Sequence, residues 1–113
     1  MSQIGIGFGE ADVSPKMLMA LHKETGIGLI DLKRAAKQPG KTLFYTCMLY
    51  MNDHVERSRQ INAILEIFED NSKEPFLFEI LYDEKWSDFN LDEKQNYITP
   101  DQLRNIADAE GYM

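Results

Sequence analysis

Apolar positions along this chain change period several times, and each change marks an element. Gln3-Ile-Gly-Ile-Gly-Phe-Gly9 alternates apolar residues with glycine, so Ile4, Ile6 and Phe8 share one strand face and the glycines leave the other bare. The run opens the chain with no strand before it and lacks the Lys-Ser/Thr of a nucleotide loop, so it predicts a short edge strand. Ser14-Pro15 suits an N-cap followed by a first helical position, because Ser accepts an orphan amide and Pro needs no donor there. Met17, Leu18 and Leu21 supply the buried stripe of that helix, and Gly26 is a natural stop. A second helix over 28–37 turns Leu29, Leu32, Ala35 and Ala36 inward and Asp31, Lys33, Arg34 and Lys37 outward, ending at Gln38-Pro39-Gly40.

Thr42–Met51 is apolar on both faces, with Leu43, Tyr45, Cys47 and Leu49 on one and Phe44, Met48 and Tyr50 on the other. Such a strand belongs at the centre of a sheet or is covered above and below. Asp53 and Glu56 form a variant capping box. They open a helix to about Asp70 that places Val55, Ile61, Ile64, Leu65 and Phe68 at helical spacing. Asn71-Ser-Lys breaks it, and residues 74–82 form another strand, completing a β-α-β unit with an expected right-handed crossover. Asp83–Tyr97 is polar and acidic, punctuated by Trp86, Phe89, Leu91 and Tyr97. Thr99-Pro-Asp-Gln102 caps a last helix that turns Leu103, Ile106 and Ala107 inward and closes at Gly111. The elements predict an α+β fold: a small three-stranded sheet with helices packed on one face. Residues 1–82 form its core, and 83–113 an acidic extension with a helix, within a single domain spanning 1–113.

Length and composition agree with one domain, since 113 residues that are 43% hydrophobic can build a core without a disulfide or metal staple. No apolar run approaches the ~20 residues of a membrane span. Met1–Gly7 has no basic stretch followed by an apolar one, so no signal peptide is expected. The single Cys47, among Tyr45, Met48 and Leu49, predicts a buried thiol in a reducing cytosol. The net charge of −7 is unevenly spread. Residues 14–41 hold six basic side chains against Glu24 and Asp31, a local net of +4, whereas 83–113 hold eight acids against three bases, a net of −5. That asymmetry can steer a charged partner, or each end can be an ordinary solvated face.

The side chains that do chemistry are scattered. His22 and His54 have no partner at i+4 and no cysteine at ligand spacing. A general base needs a placed substrate and an orienting partner, and Cys47 lies mid-strand, away from any helix N-terminus that would lower its pKa. The Asp-x-Asp-x-Asp-Gly spacing of a calcium loop is missing, so Glu69-Asp70 and Asp92-Glu93 read as solvated acids. The expectation is a non-enzymatic chain with no cofactor, no metal and no small-molecule substrate. Nucleic acid is disfavoured by the negative charge and by the absence of aromatics among the basic residues. Trp86 has two readings: a lid folded on the sheet, or an aromatic anchor ringed by Asp83, Glu84, Asp88, Asp92 and Glu93 and suited to a basic protein surface.

Met17–Lys37, with Thr25-Gly26-Ile27-Gly28-Leu29 at its turn and Lys33 beyond, resembles the helix-turn-helix opening of the C-terminal domain of the bacterial ribosomal stalk protein. The strand-helix-strand order after it also resembles that fold, over about residues 3–82. The resemblance implies the three-stranded α+β architecture. The family domain docks translation factors through that helix pair. Of its basic set this chain keeps Lys33, with Met19 and His22 where the family pattern has basic residues and Pro15 where it has an apolar one. The resemblance therefore carries the fold and not the ribosomal role, and Lys33, Arg34 and Lys37 are an alternative binding face on the helix pair 15–37. In size, charge and lack of catalytic residues the chain is also similar to bacterial immunity proteins that neutralise nuclease toxins. The primary expectation is therefore a cytoplasmic, bacterial protein-binding module that meets a basic partner, such as a nuclease toxin, through Asp83, Glu84, Trp86, Asp88, Asp92 and Glu93. The alternative is a translation-associated adaptor that docks through the basic helix pair. No membrane partner is expected.

Overall fold

The computed structural model describes residues 2–48, 54–81, 83–86, 90–92 and 94–111, with the backbone alone at 2, 54 and 108–111. Its strands are β1 (Ser2–Phe8), β2 (Leu43–Met48) and β3 (Pro75–Leu81); its helices are α1 (Pro15–Thr25), α2 (Leu29–Ala36), α3 (His54–Asp70) and α4 (Pro100–Gly111). The fold is α+β. The sheet order is β2-β1-β3, with β1 antiparallel to both neighbours. β2 and β3 therefore run parallel to each other, with β1 inserted between them and α3 connecting them.

Local chemistry sets most boundaries. The Ser14 hydroxyl accepts from the Met17 N–H at 3.1 Å, and Pro15 follows it. Thr99 and Gln102 cap α4 reciprocally, the Gln102 N–H donating to Thr99 Oγ1 at 3.1 Å and the Thr99 N–H to Gln102 Oε1 at 2.8 Å. The proposed cap residue of α3, Asp53, lies outside the described residues.

All four helices pack on one face of the sheet. Met17, Leu18 and Leu21 of α1, Leu32 and Ala35 of α2, Ile61, Ile64, Leu65 and Phe68 of α3, and Leu103 and Ala107 of α4 enclose Ile4, Ile6 and Phe8. Burying a single side chain of this kind stabilises the fold by about 1.5–3 kcal/mol. The opposite face carries a smaller cluster of Phe76, Phe78 and Ile80, covered by Leu43, Trp86 and Leu91.

Strand placement departs from the sequence expectation at β1, and for β2 the expected alternative that holds is a strand covered above and below. The glycine-alternating segment is the central strand, not an edge, and β2 is an edge strand. The bare face of β1 is what allows this: Leu43, Phe76 and Trp86 crowd the space where side chains at Gly5 and Gly7 would stand. β2 is apolar on both sides because one side lies under the helices and the other under the residues that follow β3. A bulge between Ile6 and Gly7 also breaks its alternation. Phe44 and Tyr45 both join the helix-side core, while Leu43 turns to the other face. Leu49, Tyr50 and Met51, expected to continue the strand, lie outside the described residues. Some side chains are less buried than their spacing predicts, Leu29, Ala36 and Ile106 among them being half-buried. Val55 is 64% exposed, being at the start of α3 beyond the core, and Cys47 is half-buried at the sheet edge.

Candidate docking surfaces

The α1–α2 turn is held by its own residues. Gly26 adopts φ +75°, the left-handed region that glycine enters without a Cβ penalty, and its N–H donates to the His22 carbonyl at 2.8 Å. His22 Nδ1 donates to the Ile27 carbonyl at 2.7 Å. The Thr25 hydroxyl donates to Leu21 O at 2.7 Å and accepts from the Ile27 N–H at 3.2 Å. His22 is thus a turn-fixing group, occupied at Nδ1. Gln60 of α3 ties the pair to the body: its Nε2 donates to Glu24 O at 3.0 Å, and its Oε1 accepts from the Tyr45 hydroxyl at 2.7 Å. Arg59 pairs with Glu24 at 3.3 Å.

This scaffold presents one exposed stripe on α2. Ile30, Lys33, Arg34 and Lys37 fall at i, i+3, i+4 and i+7, on the same helical face, and all four are exposed. Ile30 is 72% exposed, more than any other large hydrophobic residue among those described. Glu24 is engaged by Arg59, and Asp31 lies 3.8 Å from Arg34. Among the described residues Lys33 and Lys37 make no ion pair. Helical spacing in the sequence picks out the three basic residues but not Ile30. Its position off the Leu29, Leu32, Ala35 stripe was the available signal.

The acidic candidates divide differently. Trp86 folds back on the sheet, its ring 6.0 Å from that of Phe78 and in contact range of Gly5, so its indole works as a cover for the second face. Glu84 is tied down too: its carboxylate accepts from the Leu81 N–H at 3.0 Å, and its carbonyl accepts from Gln3 Nε2 at 2.5 Å. Asp83 and Asp92 are exposed. Asp88 and Glu93 lie outside the described residues. Of the six acidic-surface candidates, two therefore serve the fold and two face solvent.

Comparison with protein-family models, curated proteins and solved structures returns no match.

Among the described residues no three of His, Cys, Asp and Glu come together to hold a metal ion. No described helix is long and apolar enough to cross a membrane. Tyr45 has a displaced pKa: burial, and after it the neighbouring Cys47, pushes the phenol well above its ordinary value of 10.0. The phenol is therefore a neutral donor to Gln60, a structural use and not a chemical one.

Proposed function

We propose that this chain is a non-catalytic protein-binding module whose working surface is the α1–α2 face. The observation that carries the reading is Ile30, 72% exposed, with Lys33, Arg34 and Lys37 beside it on a helix pinned at its turn. An apolar contact beside a row of cations suits an acidic protein surface, because burying the isoleucine drives association and the charges orient it. The order β-α-α-β-α-β over residues 2–81 and the exposed Lys33 also support a docking role like that of the ribosomal stalk domain. Partner capture by the full chain, read by mass spectrometry, tests this. The partner is expected to be lost with Lys33→Glu plus Arg34→Glu and retained with Asp83→Lys plus Asp92→Lys.

A second reading rests on the exposed carboxylates of Asp83 and Asp92 beside the seated Trp86. In it the acidic segment occupies the basic cleft of a nuclease-type toxin, and the chain acts as a bacterial immunity protein. The same experiment separates the two: loss of the partner with the aspartate changes, and retention with the basic ones, would favour the toxin inhibitor and overturn the α1–α2 reading.

A further inference from the structure

The two lateral edges of the sheet differ. The outer edge of β3 is occupied: Tyr97 bridges Phe78, the Ile98 N–H donates to Leu77 O at 3.2 Å, and Asn96 Nδ2 donates to Glu79 O at 2.8 Å. No strand among the described residues pairs with the outer edge of β2. Open edges are normally blunted by charge, proline or a bulge; Leu43–Met48 contains no charge and no proline, and its bulge lies at Phe44, short of the run Tyr45–Met48.

Two grooves flank this edge, one on each side of the sheet. The helix-side groove, about 350 Å³, lies between α2 and β2 and is lined by Ile27, Arg34, Ala35 and Phe44 among others. The other, about 420 Å³, is lined by Lys41, Thr46, Trp86 and Leu91 among others. Thr42 and Leu43 line both, so the grooves meet where β2 begins. Consecutive side chains of an added strand point to opposite faces, and two neighbouring apolar residues would enter one groove each. Arg34 and Lys41 stand at the rims, and among the described residues Asp31 is the one acid that lines either groove.

We infer that the edge of β2 takes up an extended acidic segment of a partner protein by strand addition, with two adjacent apolar side chains in the grooves and flanking carboxylates at Arg34 and Lys41. The inference deepens the binding-module reading and rests on it. A second copy of this chain is the poorer occupant: β2 has no acid, and joining two β2 edges brings two basic stretches together.

The test titrates the 15N-labelled full chain with a blocked eight-residue peptide, a valine pair at its centre, threonine on either side and two glutamates at each end. Amide shifts are expected along 42–48 and at Ile27, Arg34 and Ala35. N-methylation of the peptide on one edge should weaken binding about tenfold, the loss of two backbone hydrogen bonds, while N-methylation on the other edge should leave it unchanged. Lys41→Glu should weaken binding, with amide shifts of the free protein changed only next to position 41. Shifts confined to Ile30, Lys33, Arg34 and Lys37, with both N-methylated peptides binding alike, would overturn strand addition and leave the α1–α2 reading intact. So would silence at β2 up to millimolar peptide, or self-association mapped to that edge. Partner capture with Lys33→Glu plus Lys37→Glu, neither of which lines either groove, decides the broader reading separately.

Discussion

A methyl group at Gly7 would collide with the carbonyl oxygen of Thr42, whereas one at Gly5 would meet the ends of the Leu43 and Trp86 side chains. Side-chain tips can rotate away and a backbone carbonyl cannot, so the two substitutions are expected to differ. Gly7→Ala should cost about 3 kcal/mol and Gly5→Ala about 1 kcal/mol, the upper and lower ends of overpacking costs. Urea midpoints at unchanged slope would check both. Tyr45 supports an expectation of another kind. Its pKa is raised in the folded state, so the unfolded chain loses the phenolic proton first as pH climbs. The contribution is complete below the ordinary value of 10.0 and is lost as pH rises from there toward the folded value. Urea midpoints between about pH 8 and 11 should show an alkaline decline that Tyr45→Phe reduces.

At the level of elements, the residues after β3 are part of the fold, because Trp86, Leu91 and Tyr97 cover the sheet face opposite α1–α4. Tyr97 packs edge-on against Phe76, ring centroids 5.0 Å apart. Trp86→Ala is expected to destabilise the fold by about 2 kcal/mol, below the 3–5 kcal/mol of a fully enclosed tryptophan because this ring is half-buried. Chemical denaturation would measure the loss. Helices were the readable part of the sequence. Ser14-Pro15, Gly26 and Thr99-Pro-Asp-Gln102 each act through neighbours within four residues, so the chemistry that sets them is visible locally. Strand order was not readable, because alternating apolar residues and glycines specify one bare face without saying which segment fills it. The bulge at Phe44 was equally hidden, since it arises from pairing with β1. The surface divides along the same line. Lys33, Arg34 and Lys37 were legible from helical spacing, whereas the open edge of β2 depends on where the other strands lie.

For the whole molecule, charge separation matters more than net charge. The basic stretch lies on α1 and α2 and the loop after them, where two acids stand against six bases, and eight of the nineteen acids lie beyond β3, so a chain of net −7 can still attract an acidic partner locally. Binding through Lys33, Arg34 and Lys37 should therefore weaken steadily with added salt, as calorimetry at several ionic strengths would show. Folding stability should change little over the same range, since ion pairs such as Arg34–Asp31 are solvent-exposed and contribute about 0–1 kcal/mol each. The central position of β1 has a consequence for synthesis. Its register partners run from Leu43 to Met48 on one side and from Pro75 to Leu81 on the other. Ile4, Ile6 and Phe8 thus leave the ribosome some forty residues ahead of a first neighbour and about seventy ahead of a second. Until both have followed, the nascent chain displays a sticky, glycine-spaced ribbon with an unpaired side, and chaperones have that interval in which to hold it.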